Sequence, residues 1–161
     1  MTEPVAGVVL IVATVAVGLM AGVFGLYANT IMRGLGRTDD RTFVGAFQAI
    51  DRAIINPLFL LTFFAALVLT GVAGVLHVGD DGLAWIVVGF VLYLIGLAIT
   101  FAVNVPLNDA IKAAGDPDGI ADLAGVRRGF DEARWSRWNL VRALVTLAAF
   151  ACLACALALR G

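Results

Sequence analysis

Four long stretches of the sequence carry almost no charge, and each is long enough to cross a membrane. A helix rises 1.5 Å per residue, so about 20 apolar residues cross the roughly 30 Å hydrocarbon core of a bilayer. The predicted spans cover residues of about 5–31, 53–76, 83–107 and 139–159. Continuous apolar runs of this length indicate helices and not the alternating strands of a barrel. We therefore predict an all-α fold, a four-transmembrane-helix bundle forming a single membrane domain over residues 1–161.

The overall composition agrees with a membrane location. Hydrophobic residues make up 61% of the 161 residues and charged residues only 14%, whereas soluble domains are nearer half apolar and a quarter charged. Membrane lipid is therefore an expected partner. The net charge of −1, with no basic run, predicts no binding to nucleic acid. The first stretch holds 27 residues without a charge and has no Lys or Arg before it, which predicts a retained helix and not a cleaved signal peptide.

The positive charges predict the orientation. All but one of the 11 Lys and Arg residues lie in or beside the first and third connections between the spans. The second connection contains neither residue type, and its His77 is expected at the surface. Because cytoplasmic connections carry the excess of Lys and Arg, the first and third connections are predicted to be cytoplasmic. We expect a multi-pass protein of the plasma membrane with both termini outside.

The two predicted cytoplasmic connections differ in length. The first is short, and Asp39 or Asp40 is expected to cap the helix that follows it. The third is longer, and Asp116-Pro117 resembles the start of a helix. Apolar residues then recur at helical intervals among charged ones, at Ile120, Leu123, Val126 and Phe130. This pattern predicts a helix in the third connection that lies on the membrane interface.

Small residues at regular intervals predict close contacts between the spans. Gly18 and Gly22 lie four residues apart in the first span, and Gly89 and Gly96 lie seven apart in the third. Such spacing lets helix backbones approach closely in lipid. In the fourth span Cys152 and Cys155 lie three apart, where helical geometry disfavours a disulfide between them. They are expected to be small apolar packing residues.

Polar residues gather where all four predicted spans reach the cytoplasmic side. The candidates for ligand binding are Gln48, Asn56, Asn104, Asn108, Trp135, Trp138 and Asn139, and the candidates for catalysis are Asp51, Asp109 and Arg142. Polar groups in a bilayer usually face one another or a wet cavity. We therefore expect Gln48, the four asparagines and Arg142 to form one hydrogen-bonded cluster. Asparagines that join helices, tryptophans of the interfacial belt and a structural ion pair are the alternative roles.

Two of these candidates have more specific expectations. Arg142, one turn inside the fourth span, is expected to meet either a carboxylate, Asp51 or Asp109, or an anionic group of a ligand. Pro57 and Pro106 remove backbone N–H groups from their helices, which predicts kinks beside Asn56 and Asn104. One histidine and two cysteines cannot supply an ordinary zinc, haem or iron site, so no metal is predicted.

Three segments of this polar set resemble the anthrone oxygenase-like family of small four-span membrane proteins, and the resemblance extends over nearly the whole chain. The segments are residues 47–57, residues 104–108, and Trp135 with residues 138–142. The resemblance implies oxidation of a polyketide anthrone to an anthraquinone by molecular oxygen, with no cofactor. On this interpretation Asp51 or Asp109 is the base, and Arg142, Asn104 and Asn139 stabilise the enolate oxygen. Trp135 and Trp138 would stack on the ring system.

Three classes of function remain open at this point. The first is a cofactor-independent oxygenase that acts on an anthrone-like or other hydrophobic aromatic substrate at the cytoplasmic end. The second is a non-enzymatic membrane protein that binds a quinone or lipid-like ligand. The third is a structural membrane subunit, in which the polar residues are fully paired and closed to any ligand. The sequence has no second half that resembles the first and no charged residue at the middle of the membrane. Both observations argue against a transporter.

Overall fold

The computed structural model describes residues 2–159, and within them every regular element is a helix. The α-helices are α1 (Thr2–Leu26), α2 (Met32–Leu35), α3 (Asp40–Ile54), α4 (Pro57–Leu76), α5 (Leu83–Ile99), α6 (Val105–Ala113), α7 (Leu123–Phe130) and α8 (Glu132–Ala158). Two π-helical turns, Tyr27–Ile31 and Thr100–Asn104, join α1 to α2 and α5 to α6. Both α1–α2 and α5–α6 therefore run on as long, nearly continuous helices.

Four helical segments are long and apolar enough to cross a membrane. They cover Glu3–Leu35, Pro57–Leu76, Leu83–Ala113 and Leu123–Ala158, and they pack as a bundle in which α8 contacts both α5 and α1, and α1 contacts α4. The outward faces carry many exposed aliphatic side chains, as a surface in contact with lipid requires. The predicted all-α fold with four membrane spans is confirmed.

Small residues do bring the spans together, but only at some of the predicted positions. A Cβ atom at Gly89 would lie 3.2 Å from the carbonyl oxygen of Ala149 in α8, and one at Gly96 would lie 3.0 Å from the hydroxyl of Thr146. Gly18 faces the Phe150 ring in the same way. A Cβ at Gly22, in contrast, would meet no atom within 4 Å. Gly22 therefore faces open space on the outside of the bundle.

The second span begins at Pro57, four residues later than expected. Asn56 adopts an extended backbone conformation, and its side-chain oxygen accepts a hydrogen bond from the Phe59 amide at 3.0 Å. Proline disfavours helical geometry in the residue before it and suits the first position of a new helix. The expected kink is therefore a complete break. The preceding residues form a separate amphipathic helix, α3, which buries one face that includes Phe43, Phe47 and Gln48.

Helices α3 and α7 cover one end of the bundle, and we call this pair the cap. Their apolar faces meet around Phe43, Phe47 and Phe130, with ring centroids of Phe47 and Phe130 4.5 Å apart. Arg127 of α7 ties the cap together, because its guanidinium donates to Asp40 at 3.1 Å and lies over the Phe43 ring. The predicted helix of the third connection is thus present, and the first connection contributes a helix of its own.

Aspartate side chains stabilise the N-termini of α3 and α7. Asp39 caps α3 by accepting a hydrogen bond from the Thr42 amide at 2.8 Å, as predicted, and this bond lowers the pKa of the Asp39 carboxyl. Helix α7 starts later than expected, because Asp116 and Pro117 open only a short 3₁₀ turn. The residue that caps α7 is Asp122, whose carboxylate accepts from the Gly125 amide at 2.7 Å.

The opposite end of the bundle corrects one prediction. His77, expected at the surface, is only 1% exposed. Its ring nitrogen Nδ1 lies 2.7 Å from the carbonyl oxygen of Ala73. The ring therefore folds back onto the last turn of α4 and does not extend into water. Of the two cysteines, Cys152 is buried in the bundle and Cys155 is exposed on its outer face.

Candidate functional site

A cavity of about 210 Å³ lies just beneath the cap, among α1, α3, α4, α8 and the second π-helical turn. Most of its wall is aliphatic or aromatic. The polar side chains that line it are Tyr27, Asp51, Thr100, Asn104, Asn108, Trp135 and Arg142. Three of these, Tyr27, Thr100 and Asn104, lie in the two π-helical turns. Such turns are rare in general and frequent at functional sites.

The cavity opens sideways, towards the membrane. Four of its lining residues, Ile55, Leu60, Phe64 and Phe101, are also between 38% and 53% exposed on the outside of the bundle. They lie at the break between α3 and α4, on α4 and in the second π-helical turn. A bilayer around the four spans would cover this opening. The apolar side chains at this opening would therefore contact lipid.

Arg142 is the most unusual side chain of the site. It is only 7% exposed, and its guanidinium lies 4.0 Å above the centre of the Phe24 ring. Its Nη1 donates to the hydroxyl of Thr100 at 3.1 Å, and its Nη2 donates to the amide oxygen of Asn139 at 2.5 Å. Asn139 is fixed in turn, because it donates to the Phe24 carbonyl at 3.1 Å.

All partners of the Arg142 guanidinium are neutral. Among residues 2–159 no carboxylate oxygen lies within 4.0 Å of it, so it meets neither Asp51 nor Asp109. Its Nε is buried and has no hydrogen-bond partner there. A buried guanidinium without a carboxylate retains a large desolvation penalty. The carboxylate partner expected for Arg142 is therefore wrong for the described residues, and the anionic group of a ligand stays a prediction.

The two candidate carboxylates occupy different environments. Asp51, on α3, lines the cavity, and its side chain is 8% exposed. One of its oxygens accepts from Asn108 at 2.6 Å, and the other lies 2.8 Å from the ammonium of Lys112. Asp109 shares that lysine at 3.1 Å, but its side chain is 64% exposed and does not line the cavity. Lys112 thus links a buried carboxylate to one at the surface.

Asn108 and Asn104 connect α6 and the second π-helical turn to α8. The Nε1 group of Trp135 donates to the Asn108 amide oxygen at 2.6 Å, which orients the Asn108 NH₂ group towards Asp51. Asn104 donates to the Trp135 carbonyl at 3.4 Å, while its own side-chain oxygen is buried without a partner in the described chain. Among the described residues, the buried side-chain atoms of the cavity wall without a hydrogen-bond partner are Nε of Arg142, Oδ1 of Asn104 and Oδ2 of Asp51. The last of these is paired with the Lys112 ammonium at 2.8 Å.

Four predicted ligand-binding residues do not line the cavity. One of them, Asn139, is the buried partner of Arg142 described above, and the other three lie elsewhere. Gln48 is buried, but its NH₂ group donates to the carbonyls of Ile111 and Gly115 and so joins α3 to the end of α6. Asn56 is exposed and caps α4. Trp138 is partly exposed on α8, one turn away from Trp135. These positions fit the alternative structural roles.

The polar residues do not form the single cluster that we expected. Asp51, Asn108, Trp135 and Lys112 make one group, joined by two hydrogen bonds and an ion pair. Arg142, Asn139 and Thr100 make a second, hydrogen-bonded group. Gln48 and Asn56 bond elsewhere. Members of both groups line the cavity, and the groups come close to each other there, because the Arg142 guanidinium lies 6.0 Å from the centre of the Trp135 ring.

Several residues of the site were not predicted. Phe24 and Thr100 lie inside apolar stretches, where nothing in the sequence distinguishes them from packing residues. Tyr27 was expected only as a polar residue at the cytoplasmic end of the first span, with no role in binding. Lys112 was counted only as a charge that determines orientation. Within residues 2–159, no three His, Cys, Asp or Glu side chains come together as a potential metal site.

The fold and the cavity define a class of small helical membrane protein with a mostly apolar cavity, lined by a few polar side chains, at one end. A comparison with known families matches residues 43–152 to the anthrone oxygenase family. The chain therefore belongs to that family, and most of the lining residues lie within the match. Val23, Phe24 and Tyr27, from the first span, lie outside it. No curated protein and no solved structure matches the chain.

Proposed function

We propose that the protein is a cofactor-independent oxygenase that oxidises an anthrone-like or other hydrophobic aromatic substrate in the cavity beneath the cap. One observation carries the proposal. Arg142 presents a buried guanidinium, which pairs with no carboxylate of the described residues, to a largely apolar cavity. An enolate oxygen on a flat apolar molecule is a ligand that supplies the missing charge and fits such walls. Membership of the anthrone oxygenase family supports the same reaction.

The lining residues suggest how the substrate is bound. It would reach the cavity from the bilayer, past Ile55 and Phe101. Phe24, Phe63 and Trp135 provide apolar surfaces for the ring system, and the carbonyl oxygen of the substrate would point towards Arg142. The free oxygen of Asn104 can accept a hydrogen bond from a hydroxyl substituent. Burial of the flat ring provides most of the affinity, and these polar groups orient it.

The reaction begins with removal of a proton. Asp51, which is the carboxylate on the cavity wall, accepts a proton from the methylene group next to the aromatic rings. The electron pair left behind spreads onto the carbonyl oxygen, where the Arg142 guanidinium stabilises the negative charge. Lys112 and the exposed Asp109 then connect Asp51 to the surface for release of the proton.

Molecular oxygen is the oxidant in the second half of the reaction. It bonds to the carbanionic carbon, takes up one proton and gives a hydroperoxide. Breakage of the O–O bond with loss of the remaining C–H proton releases water and leaves a new carbonyl. In total, one methylene group and one O₂ give one carbonyl group and one H₂O. The protein supplies a base, an oxyanion site and an apolar enclosure.

Binding without chemistry is the second candidate function. The observation that favours it is the ion pair between Asp51 and Lys112, which already neutralises the proposed base. In that case the cavity holds a quinone or lipid-like ligand, with Arg142 against one of its oxygens. A purely structural subunit agrees less well with the site, because Arg142 and Asn104 keep unpartnered atoms beside an open cavity.

The test compares Asp51→Asn with Asp109→Asn in the detergent-purified protein supplied with an anthrone in air. Both aspartates contact Lys112, but only Asp51 lines the cavity. We expect O₂ uptake and anthraquinone formation to fall about 10²–10⁴-fold in Asp51→Asn and to stay near the wild-type rate in Asp109→Asn. Wild-type protein that binds an anthraquinone but consumes no O₂ would favour the binding role. Equal turnover in all three proteins would refute Asp51 as the base.

A further inference from the structure

A second cavity-like feature lies outside the proposed substrate site, as a groove along the outer surface between α1 and α8. Its floor is made of small residues of α1, among them Gly22 and Gly25, and its far wall includes Leu144 and Leu147 of α8. The apolar part has a volume of about 860 Å³. Because it faces the outside of the spans, a bilayer molecule must fill it.

The groove changes character at the capped end of the bundle. There it continues into a polar section of about 630 Å³ lined by Arg33, Arg37 and Arg137. The two sections share three lining residues, Ala28, Asn29 and Leu140, so they form one continuous groove. An apolar groove that ends in three guanidinium groups matches the shape and charge of a phospholipid with an anionic headgroup.

The three arginines are available to a ligand. All are exposed, and in the described part of the chain none of them forms an ion pair with a carboxylate. Glu132 also lines the polar section, but one of its oxygens is already 3.1 Å from the guanidinium of Arg127. The net charge at the mouth of the groove is therefore positive.

We propose that this groove binds one anionic phospholipid, with its phosphate at the three arginines and an acyl chain along the glycines of α1. From Val15 to Asn29 the groove is about 21 Å long at 1.5 Å per residue. One leaflet of the hydrocarbon core is about 15 Å thick, so an acyl chain of that leaflet fits within it.

Charge favours a lipid over a second copy of the chain in this position. Two copies in one membrane have the same orientation, so a symmetric dimer through this groove would place the arginines of both copies at the same depth. Like charges placed together across an interface oppose association. An anionic headgroup instead neutralises them, and each basic residue near a membrane surface contributes about a fivefold gain in affinity for anionic lipid.

The headgroup part is tested by native mass spectrometry of the detergent-purified protein with phosphatidylglycerol or phosphatidylcholine of equal chain length. We expect the wild type to prefer phosphatidylglycerol. The triple variant Arg33→Gln, Arg37→Gln and Arg137→Gln should lose that preference. Its affinity for phosphatidylglycerol should be lower than that of the wild type on the order of 100-fold.

The matched control removes the same number of charges from the same end of the protein. It combines Arg41→Gln, Arg128→Gln and Arg134→Gln, all exposed and all outside the groove, and it should keep the preference. Equal binding by the two triple variants would refute the proposal.

The acyl part is tested by filling the groove with Gly22→Leu and Gly25→Leu. A Cβ at either position meets no atom within 4 Å, and leucine favours a helix more than glycine does, so the protein should remain folded. We expect this variant to bind both phospholipids at least tenfold more weakly than the wild type does. Unchanged binding, or equally tight binding of soluble glycerol phosphate, would show that no chain lies in the groove. A wild-type dimer that the leucines dissociate would assign the groove to a second copy and overturn the proposal.

Discussion

Replacing Arg142 with methionine separates the two roles that a buried arginine can have. Methionine retains most of the apolar stem and removes the charge. In the structure the guanidinium bonds to Thr100 and Asn139 and lies over Phe24, and no carboxylate depends on it. The change therefore leaves no buried anion unpaired, which is the situation that would destabilise a protein by about 3–5 kcal/mol.

The opposing contributions to stability are similar in size. Two hydrogen bonds from a charged donor contribute about 1.5–3 kcal/mol each, and the contact with the Phe24 ring adds about 2 kcal/mol. Against this, the guanidinium carries a desolvation penalty of several kcal/mol. We expect Arg142→Met to change the free energy of unfolding by no more than about 2 kcal/mol. Binding of an enolate or quinone oxygen should fall about 10²–10³-fold, the usual effect of losing one oxyanion donor.

Two measurements on detergent-purified protein test this prediction. Thermal unfolding reports stability, and quenching of tryptophan fluorescence by a hydroxylated anthraquinone reports binding, since Trp135 lines the cavity. Arg134→Met is the control, because Arg134 is exposed on the same helix and outside the cavity. A variant that binds like the wild type would show that Arg142 does not contact the ligand. A loss of stability above about 3 kcal/mol would show that its role is structural.

Three further predictions concern the fold and the orientation. Asn56→Ala removes the cap of α4 and should lower the free energy of unfolding by about 1 kcal/mol, whereas Asn56→Asp should retain the cap; thermal unfolding distinguishes the two. Gly89→Ala forces a Cβ to 3.2 Å from the Ala149 carbonyl and should destabilise by about 1–3 kcal/mol. Gly25→Ala, where a Cβ would meet open space, should raise the free energy of unfolding by up to about 1 kcal/mol. A stabilised Gly89→Ala or a destabilised Gly25→Ala would contradict the packing. A C-terminal reporter active only in the cytoplasm should remain silent, and a bright signal would reverse the orientation.

The sequence predicts the four spans well because each depends on a local property, a run of apolar residues. It does not predict where the second span begins, because Ala53, Ile54 and Ile55 are as apolar as the residues after Pro57. Hydropathy alone therefore joins the end of α3 to α4. The amphipathic spacing of Phe43 and Phe47 among charged residues was the available sign that α3 is a separate helix.

The sequence predicts at which end of the spans the polar residues lie, but not which of them are in contact. Polar residues of all four spans are expected near one end, because burial of polar groups restricts where they can lie. Which of them bond to each other depends on how helices rotate, and the π-helical turns change that rotation. Along the first span the buried positions Tyr27 and Met32 are five residues apart, where an uninterrupted helix would repeat after three or four. A single sequence contains no signal for that shift.

The arrangement of charges in the cavity is itself an argument for function. Asp51 and Arg142 line the same cavity, and a direct ion pair between them would lower the cost of burying both. Instead Asp51 bonds to Lys112 and Asn108, and Arg142 bonds to a hydroxyl and an amide. Charged groups held in such surroundings inside a cavity are frequent at functional sites. The break at Pro57 makes this possible, because it allows α3 to fold across the end of the bundle and places Asp51 on the cavity wall.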